Sequence, residues 1–409
     1  MREWLSTRTG GDRETSVITE VEARAHILQS VRTLSSRRVP LARAQGEFAA
    51  KDIVARLALP VFDNSAMDGY AVVAGSCQSE RSQRVIGEQP AGVDRHLRIT
   101  AGEAVRIFTG APMPQGADAV VMQEDVRREG AEIFIEGEVE PGEFIRRRGS
   151  DLSEGQKILA AGEKIRPQTL GLLASQGLSE IEVGGEVSAA ILTTGDELVP
   201  PGQALAPGQI HESNSTLLRA LIDQSGGSVA FVDHCADEAP AIEAGLRAGI
   251  ENDVLVVVGG ISVGARDLVK PALAAIGAEV DLWRVSVKPG KPFLFGRAGR
   301  CAIFGLPGNP VSAFVTFLLF VRPAILQMRG ARGEELLLAT GPAELSEEVQ
   351  NSSDRPHYVR GRVAGGKFTP VGRQESHALY GLSRANALLR VPPGAVFPRQ
   401  STVPILLLE

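Results

Sequence analysis

The stretch Val254-Leu-Val-Val-Val258-Gly259-Gly260 decides the fold class of this chain. Five consecutive apolar residues, four of them β-branched, indicate a strand covered on both faces, as in a parallel sheet. The two glycines indicate a tight turn at the carboxyl end of that strand. A second apolar run at 189–193 and a helical pattern at 239–251 complete strand-then-helix units. Together they predict a three-layer parallel α/β domain over residues 186–328.

A chain of 409 residues is too long to fold around one hydrophobic core, so further domains are expected outside 186–328. A capping box at Thr19-Glu-Val-Glu22 and helical signals near 168–176 predict an N-terminal α+β domain over 17–49 and 149–185. Short β-type runs between Gly and Pro turns predict a β-rich domain inserted over 50–148. Further β-type runs predict a small C-terminal β-barrel domain over 329–409. The chain is therefore expected to be a multidomain α/β protein.

Composition excludes several classes of protein. A net charge of −6 argues against a nucleic-acid-binding protein, which should carry a basic face. Cys77, Cys235 and Cys301 lie far apart in sequence and form no C-x-x-C pair, which argues against a structural zinc site or a disulfide framework. The cysteine content therefore favours the reducing cytoplasm. The apolar stretch 311–328 contains Arg322-Pro323 and is predicted to be a buried helix, not a membrane span. None of the six histidines has metal-ligand spacing.

The loop after the 254–258 strand has the composition of a phosphate site. In Gly259-Gly-Ile-Ser262-Val-Gly264-Ala-Arg-Asp267, the glycines allow backbone N–H groups to form an anion nest. A carboxylate just beyond such a nest is well placed to hold a Mg²⁺ ion that bridges to the phosphate. The alternative is a plain turn between a strand and a helix.

Three further loops have related chemistry. Thr193-Thr-Gly-Asp-Glu197 is a strand followed by a glycine turn and two acids, of which we expect one to cap a following helix. Lys288-Pro-Gly-Lys291-Pro292 places two ammonium groups on a stiff loop, although surface lysines are usually solvated. Leu306-Pro307-Gly308-Asn309-Pro310 predicts a helix capped by Asn309, with exposed N–H groups that favour an anion.

Taken in order, these phrases resemble the MoeA family of molybdopterin molybdotransferases, which includes the E domain of gephyrin. The resemblance also covers Phe62-Asp-Asn-Ser-Ala-Met-Asp-Gly-Tyr70, Gly102–Glu124, Gly208–Asn214 and Gln374-Glu-Ser-His377, and runs from about residue 18 to the C-terminus. Each motif alone is modest evidence, whereas the ordered set is specific.

The resemblance implies an enzyme that inserts molybdate into adenylylated molybdopterin with Mg²⁺ assistance and releases AMP and molybdenum cofactor. It also implies an elongated homodimer with a shared active site. The α/β and C-terminal domains of one subunit would face the N-terminal half of the other. The adenylyltransferase of the same pathway and recipient molybdoenzymes are the further partners implied, with no nucleic acid and no membrane.

The family's functional residues are carried over position by position. The catalytic positions implied are Asp68, Thr109, Asp151, Glu197, Asp237 and Asp267, of which Glu197, Asp237 and Asp267 would hold the metal. The substrate-binding positions implied are Gly259, Gly260, Ser262, Gly264, Arg284, Lys288, Lys291, Pro307, Gly308, Asn309, Ser376 and His377. Arg284 stands where relatives carry lysine.

Two other functions remain open at this stage. A gephyrin-like protein can serve as a non-catalytic scaffold, but here the full set of acids is present and no long linker leads to another domain. A hydrolase of the competence-damage type shares the α/β module and acts on pyridine nucleotide. Such a hydrolase lacks a loop like Phe62–Tyr70.

Overall fold

The chain divides into two compact units in a computed structural model that describes residues 17–78, 81–261 and 268–408. One unit comprises the described residues up to Lys51, Ala161–Leu170 and those from Ser179 onward. The other comprises Asp52–Ala160 and Gly171–Leu178. The domain boundaries proposed from the sequence stay predictions.

A seven-stranded sheet forms the centre of the first unit. Its strands, in spatial order, are Ile18–Thr19, Glu279–Ser286, Pro292–Ala298, Cys301–Leu306, Val254–Val258, Ser188–Thr194 and Ser228–Cys235. The last four of these run parallel, as the sequence predicts. Pro292–Ala298 runs antiparallel to both of its neighbours. The connection from Ser286 to Pro292 is too short for a crossover, so the sheet is mixed at this side.

Helices cover the sheet on both faces, which produces the predicted three layers. Val254, Val256 and Val258 pack into one apolar core, whereas Leu255 and Val257 pack into another on the opposite face. This alternation explains why all five residues of the strand are apolar. The helices on the first face are Glu20–Ser30, Asn214–Gln224 and the long helix Pro310–Met328. Those on the second face are Ala239–Gly249 and Val269–Ala275.

The helix Pro310–Met328 consists of Pro310–Thr316, a π-helical turn Phe317–Val321, and Arg322–Met328. Among the described residues, it alone is long and apolar enough to cross a membrane. However, 83% of an apolar 18-residue stretch of this helix is buried inside the protein. Phe317, Phe320 and Ile325 are fully buried against the central sheet, as expected of a core helix.

The C-terminal strands close into a five-stranded barrel, which confirms the predicted β-barrel. Its strands are Thr340–Leu345, His357–Ala364, Lys367–Pro370, Ala387–Val391 and Thr402–Leu407. Lys288 connects the barrel to the central sheet, because its N–H donates to Pro356 O at 2.9 Å and its carbonyl accepts from Tyr358 N at 2.8 Å. The loop carrying Lys288 is thereby fixed against the start of a barrel strand.

A six-stranded sheet is the largest element of the second unit. Its strands, in spatial order, are Ala119–Met122, Gly69–Val72, Glu103–Ile107, Ser82–Gln89, Glu132–Ile135 and Val126–Glu129. Alternate residues fill two small cores on its faces, one containing Val72 and the other Ala71. A short ribbon, Ile53–Val54 with Lys157–Leu159, belongs to the same unit.

The sequence predicts helix caps at Thr19 and at Asn309, and only the first forms as expected. Thr19 and Glu22 form the predicted capping box before Glu20–Ser30. At Asn214–Gln224, Ser213 makes no side-chain cap, and the Glu212 carboxylate accepts from Asn214 N at 2.7 Å and Ser215 N at 3.0 Å instead. Asn309 likewise makes no side-chain cap, although Pro310 occupies the first turn as predicted.

Candidate functional site

Loops from four parallel strands meet at one edge of the central sheet. They follow, in spatial order, the strands Cys301–Leu306, Val254–Val258, Ser188–Thr194 and Ser228–Cys235. Because ligands in open α/β sheets bind beyond the carboxyl ends of the strands, this edge is the candidate site. The loops supply these predicted residues: Glu197, Asp237, Gly259, Gly260, Pro307, Gly308 and Asn309.

Three acidic side chains lie at this edge. Asp237 N donates to Asp196 Oδ1 at 3.0 Å, so the loops after two neighbouring strands contact each other. Burial raises the pKa of Asp237, and the negative charges of Asp196 and Glu197 raise it further. We expected Asp196 or Glu197 to cap a following helix, and this expectation was wrong. The next residues, Leu198–Val199, form a short strand paired with Ile210–His211.

Asp196, Glu197 and Asp237 carry the kind of oxygen ligands that a hard cation binds, but they do not by themselves form a complete metal site. Carboxylate oxygens are the ligands that Mg²⁺ prefers, and a cation would relieve the repulsion that raises the pKa of Asp237. Within 17–78, 81–261 and 268–408, no three His, Cys, Asp or Glu side chains are grouped closely enough to hold a metal. The third ligand implied by the resemblance, Asp267, lies outside these residues, as do Ser262 and Gly264.

The glycine turns allow close approach of the backbone. Gly259 has φ +93°, and a Cβ added there would lie 2.7 Å from Thr194 O. Gly308 packs onto the same turn, since a Cβ added to it would lie 3.9 Å from Gly259 Cα. Asn214 Nδ2 donates to Gly308 O at 2.8 Å and fixes that loop. A side chain at Gly259 would separate these turns.

The two predicted lysines are on the loop that joins Glu279–Ser286 to Pro292–Ala298. Gly290 packs this loop onto the long helix, because a Cβ added there would lie 2.5 Å from Thr316 Cγ2. Lys291 is exposed, and Lys288 is half-buried beside His357. Burial lowers the pKa of His357 to about 4, assisted by the positive charges of Lys288 and Arg360. Arg284 is half-buried on the strand before this loop.

Ser376 lies against the start of the long helix. Asn309 Nδ2 donates to Ser376 Oγ at 2.9 Å, and Val311 N donates to Ser376 O at 3.1 Å. Asn309 therefore uses its side chain to hold the barrel loop rather than to cap its own helix. The neighbouring His377 is exposed.

The second unit holds a separate group of predicted residues. Asp68 Oδ1 accepts from Thr109 N at 2.7 Å and from Thr109 Oγ1 at 2.8 Å. These hydrogen bonds lower the pKa of Asp68, and the Arg106 charge lowers it further. Asp68 is exposed and ionised at neutral pH.

Arg106 is a residue that the sequence analysis missed. Its guanidinium carbon lies 5.0 Å from the Tyr70 ring centroid and 5.3 Å from that of Phe108. The cation is held by both rings beside Asp68. Phe108 directly follows the strand of Arg106, but Tyr70 lies opposite Arg106 on the neighbouring strand Gly69–Val72, and the local sequence does not encode that pairing.

Asp151 is exposed in the same unit, and its N–H donates to Leu59 O at 3.0 Å. Within the described residues, Asp151 makes no hydrogen bond to the Asp68–Thr109 pair. The preceding arginines are engaged locally, since Arg147 pairs with Asp63 at 2.8 Å and Arg148 with Glu154 at 3.3 Å. Salt bridges of this kind hold the loop near Asp151.

Comparisons with known proteins cover nearly the whole chain. Family models match in order as "MoeA N-terminal region (domain I and II)" over residues 18–177, "Probable molybdopterin binding domain" over 190–327, and "MoeA C-terminal region (domain IV)" over 342–408. The second match begins inside the strand Ser188–Thr194 of the central sheet, and the third begins inside the barrel strand Thr340–Leu345.

Similar proteins agree with these matches. Molybdopterin molybdenumtransferase 2 of Mycobacterium tuberculosis is 36% identical over 371 residues, covering 88% of this chain and 91% of the relative. Molybdopterin molybdenumtransferase of Haemophilus influenzae is 38% identical over 71% of this chain and 72% of the relative. A crystal structure of the molybdopterin biosynthesis protein MoeA from Pyrococcus horikoshii is 29% identical with a TM-score of 0.83, covering 96% of this chain and 100% of that one. The chain belongs to the MoeA family.

Proposed function

We propose that this protein is a molybdopterin molybdotransferase, which inserts molybdate into adenylylated molybdopterin and releases AMP and molybdenum cofactor. The observation that carries the proposal is the meeting of four loops with carboxylates and glycine turns at one sheet edge, in a chain whose relatives bear that name. Such an edge suits a ligand that contains both phosphate and metal.

Each loop has a defined task in this proposal. The Gly259 turn, the Asn309 helix start and the Lys288–Lys291 loop bind the phosphates of the adenylylated pterin through N–H groups and ammonium charges. Ser376 and His377 lie beside that helix start and bind the oxyanion. Asp68 and Thr109 orient molybdate or the attacking group through their fixed hydrogen bonds.

Magnesium is the metal that the donor set favours. Asp196, Glu197 and Asp237 would hold it with Asp267, and it would supply neutralisation of charge on the phosphoryl oxygens. The raised pKa of Asp237 supports this assignment, because a cation replaces the proton that the crowded carboxylates would otherwise favour.

The working protein in this proposal is a homodimer with a shared active site, resident in the cytoplasm. The free thiols of Cys77, Cys235 and Cys301 suit a reducing compartment. Because the reaction consumes an adenylylated pterin, an adenylyltransferase must supply the substrate, and recipient molybdoenzymes take the product.

The test is molybdate-dependent AMP release by the purified protein with adenylylated molybdopterin and Mg²⁺. We expect AMP release that requires molybdate and does not occur with sulfate in its place. A scaffold would bind the pterin without releasing AMP. A hydrolase would release nucleotide without molybdate and would also cleave a pyridine nucleotide, and either result would refute the proposal.

A further inference from the structure

The barrel contains one arginine whose burial demands an explanation. Arg360, on the strand His357–Ala364, is 1% exposed and is one of the largest fully buried side chains among the described residues. Burying a guanidinium costs several kcal/mol unless its N–H groups are paired. Burial lowers the pKa of the Arg360 guanidinium, because its positive charge is removed from water.

The hydrogen bonds of Arg360 all end on one short segment. Nη1 donates to Ala378 O at 3.3 Å, and Nη2 donates to Glu375 O at 3.2 Å and also to Arg373 O. Nε donates to Gln374 Oε1 at 3.4 Å. Every acceptor in this set is a neutral oxygen.

Gln374 completes the clamp from the side of the loop. Its Oε1 accepts from Arg360 N at 2.9 Å, and its Nε2 donates to Arg360 O at 3.0 Å and to Val371 O at 3.1 Å. The Gln374 side chain thus both accepts a hydrogen bond from the Arg360 backbone and donates one to it. Segment 371–378, here called the clamped loop, is bound to a barrel strand along its length.

The anchored carbonyls bracket the two residues at the tip of the clamped loop. Glu375 precedes Ser376 and His377, and Ala378 follows them, so both sides of the tip are held by one rigid guanidinium. The tip in turn accepts hydrogen bonds from Asn309 and Val311 at the start of the long helix. Small displacements of Arg360 would therefore move Ser376 relative to the sheet edge.

We infer that Arg360, together with Gln374, is a positioning residue that sets the oxyanion affinity of the clamped loop without itself contacting the substrate. The inference rests on the proposed function of Ser376 and His377. A planar fork with five N–H groups can satisfy diverging carbonyls, which the compact ammonium of lysine cannot do. Only an arginine at this position is expected to hold the loop.

The experiment compares Arg360→Lys with the matched control Arg362→Lys. Arg362 lies two residues further along the same strand with an exposed side chain. Molybdate is the probe, with its Kd measured by equilibrium dialysis and its KM by AMP release. A misplacement of about 1 Å can cost a catalytic site up to about 100-fold in rate. By analogy we expect the displaced tip to raise the molybdate Kd and KM at least about 10-fold in Arg360→Lys. The KM for adenylylated molybdopterin should stay within about twofold, and the control should match wild type.

A second measurement separates positioning from general destabilisation. Amide hydrogen exchange should become faster in 371–378 in Arg360→Lys and stay unchanged in the strands Ala387–Val391 and Thr402–Leu407. Gln374→Ala, which leaves the buried cation in place, should reproduce the same exchange pattern and a smaller loss of molybdate affinity. It serves as the test if Arg360→Lys does not fold.

The outcomes distinguish this inference from the proposed function. Unchanged molybdate affinity in the variants, or equal losses for molybdate and pterin with exchange faster throughout the barrel, would overturn the positioning role. Wild-type protein that binds no molybdate would overturn it as well. Wild-type protein that binds molybdate but releases no AMP would refute the transferase activity alone, and the dialysis would still decide the role of Arg360.

Discussion

At the scale of single residues, Asp237 illustrates how a site can be costly to the fold. Its carboxylate is partly buried and repelled by Asp196 and Glu197, so the folded protein holds a proton there more tightly than the unfolded chain does. The stability linked to that proton is present below the unfolded pKa and is lost as pH rises through the folded pKa. At neutral pH the ionised group therefore destabilises the metal-free protein.

We expect Asp237→Asn to raise Tm at neutral pH without Mg²⁺, because the amide removes the repulsion. Activity should fall by about 100-fold, because a ligand to the phosphate-bound cation is lost. The matched control is Glu238→Gln, an exposed neighbour whose side chain makes no helix cap. A Tm that falls in Asp237→Asn would show that the carboxylate is stabilising as it stands.

His357 supplies a pH dependence with a defined window. Its folded pKa of about 4 lies below the ordinary histidine pKa of 6.5, so the unfolded chain binds more protons than the folded protein between these two pH values. Stability should therefore fall as pH falls from about 6.5 to 4, by up to about 3 kcal/mol. Desolvation is the main cause, and Lys288 and Arg360 add to it.

We expect His357→Leu to flatten this slope, since the buried position then has no proton to bind. Urea unfolding at pH 4.5 and pH 7 measures the difference in free energy for both proteins. His211→Leu, a change at an exposed histidine, should retain the wild-type slope. If His357→Leu keeps the full pH dependence, another group must cause it.

At the scale of elements, the helix Asn214–Gln224 shows where a local sequence rule gives the wrong residue. Serine is a favoured cap, yet the carboxylate of Glu212 is the group that accepts from Asn214 N and Ser215 N. Glu212 is buried, so removing its carboxylate leaves those N–H groups without a partner in a dry position.

Glu212→Ala should destabilise the protein by about 1–2 kcal/mol, whereas Ser213→Ala should change stability by less than about 0.5 kcal/mol. Because Asn214 also holds the Gly308 loop, only Glu212→Ala should raise the KM for the adenylylated pterin. Chemical denaturation and steady-state kinetics measure the two effects. A larger loss of stability in Ser213→Ala than in Glu212→Ala would instead assign the cap to Ser213.

The elements that the sequence predicts best are those whose pattern is set by burial. The 254–258 strand and the long helix are apolar because both lie in cores, and their boundaries match the predictions closely. The antiparallel course of Pro292–Ala298 depends on a connection length that the apolar pattern does not contain. The contacts of Asn309 and Arg360 depend on residues more than ten positions away in sequence, and no local preference encodes them.

At the scale of the whole molecule, the predicted residues fall into two groups in two compact units. Asp68 and Thr109 belong to one, and Glu197 and Asp237 belong to the other. Hydrogen bonds fix the geometry within each group, but they do not explain how residues of both groups can act in one reaction. The proposed shared active site answers that question with a second copy of the chain, and it makes a quantitative prediction.

Asp68→Ala and Glu197→Ala should each leave a nearly inactive homodimer, because each damages every active site. If one site takes Asp68 from one chain and Glu197 from the other, a heterodimer of the two variants has one doubly damaged site and one intact site. Random pairing after unfolding and refolding gives mixed dimers in about half of the population, each with one good site of two. AMP release should then recover to about a quarter of the wild-type rate. Refolded mixtures that contain verified heterodimers but show no recovery would place Asp68 and Glu197 in the same chain's site, since no intact site can then form.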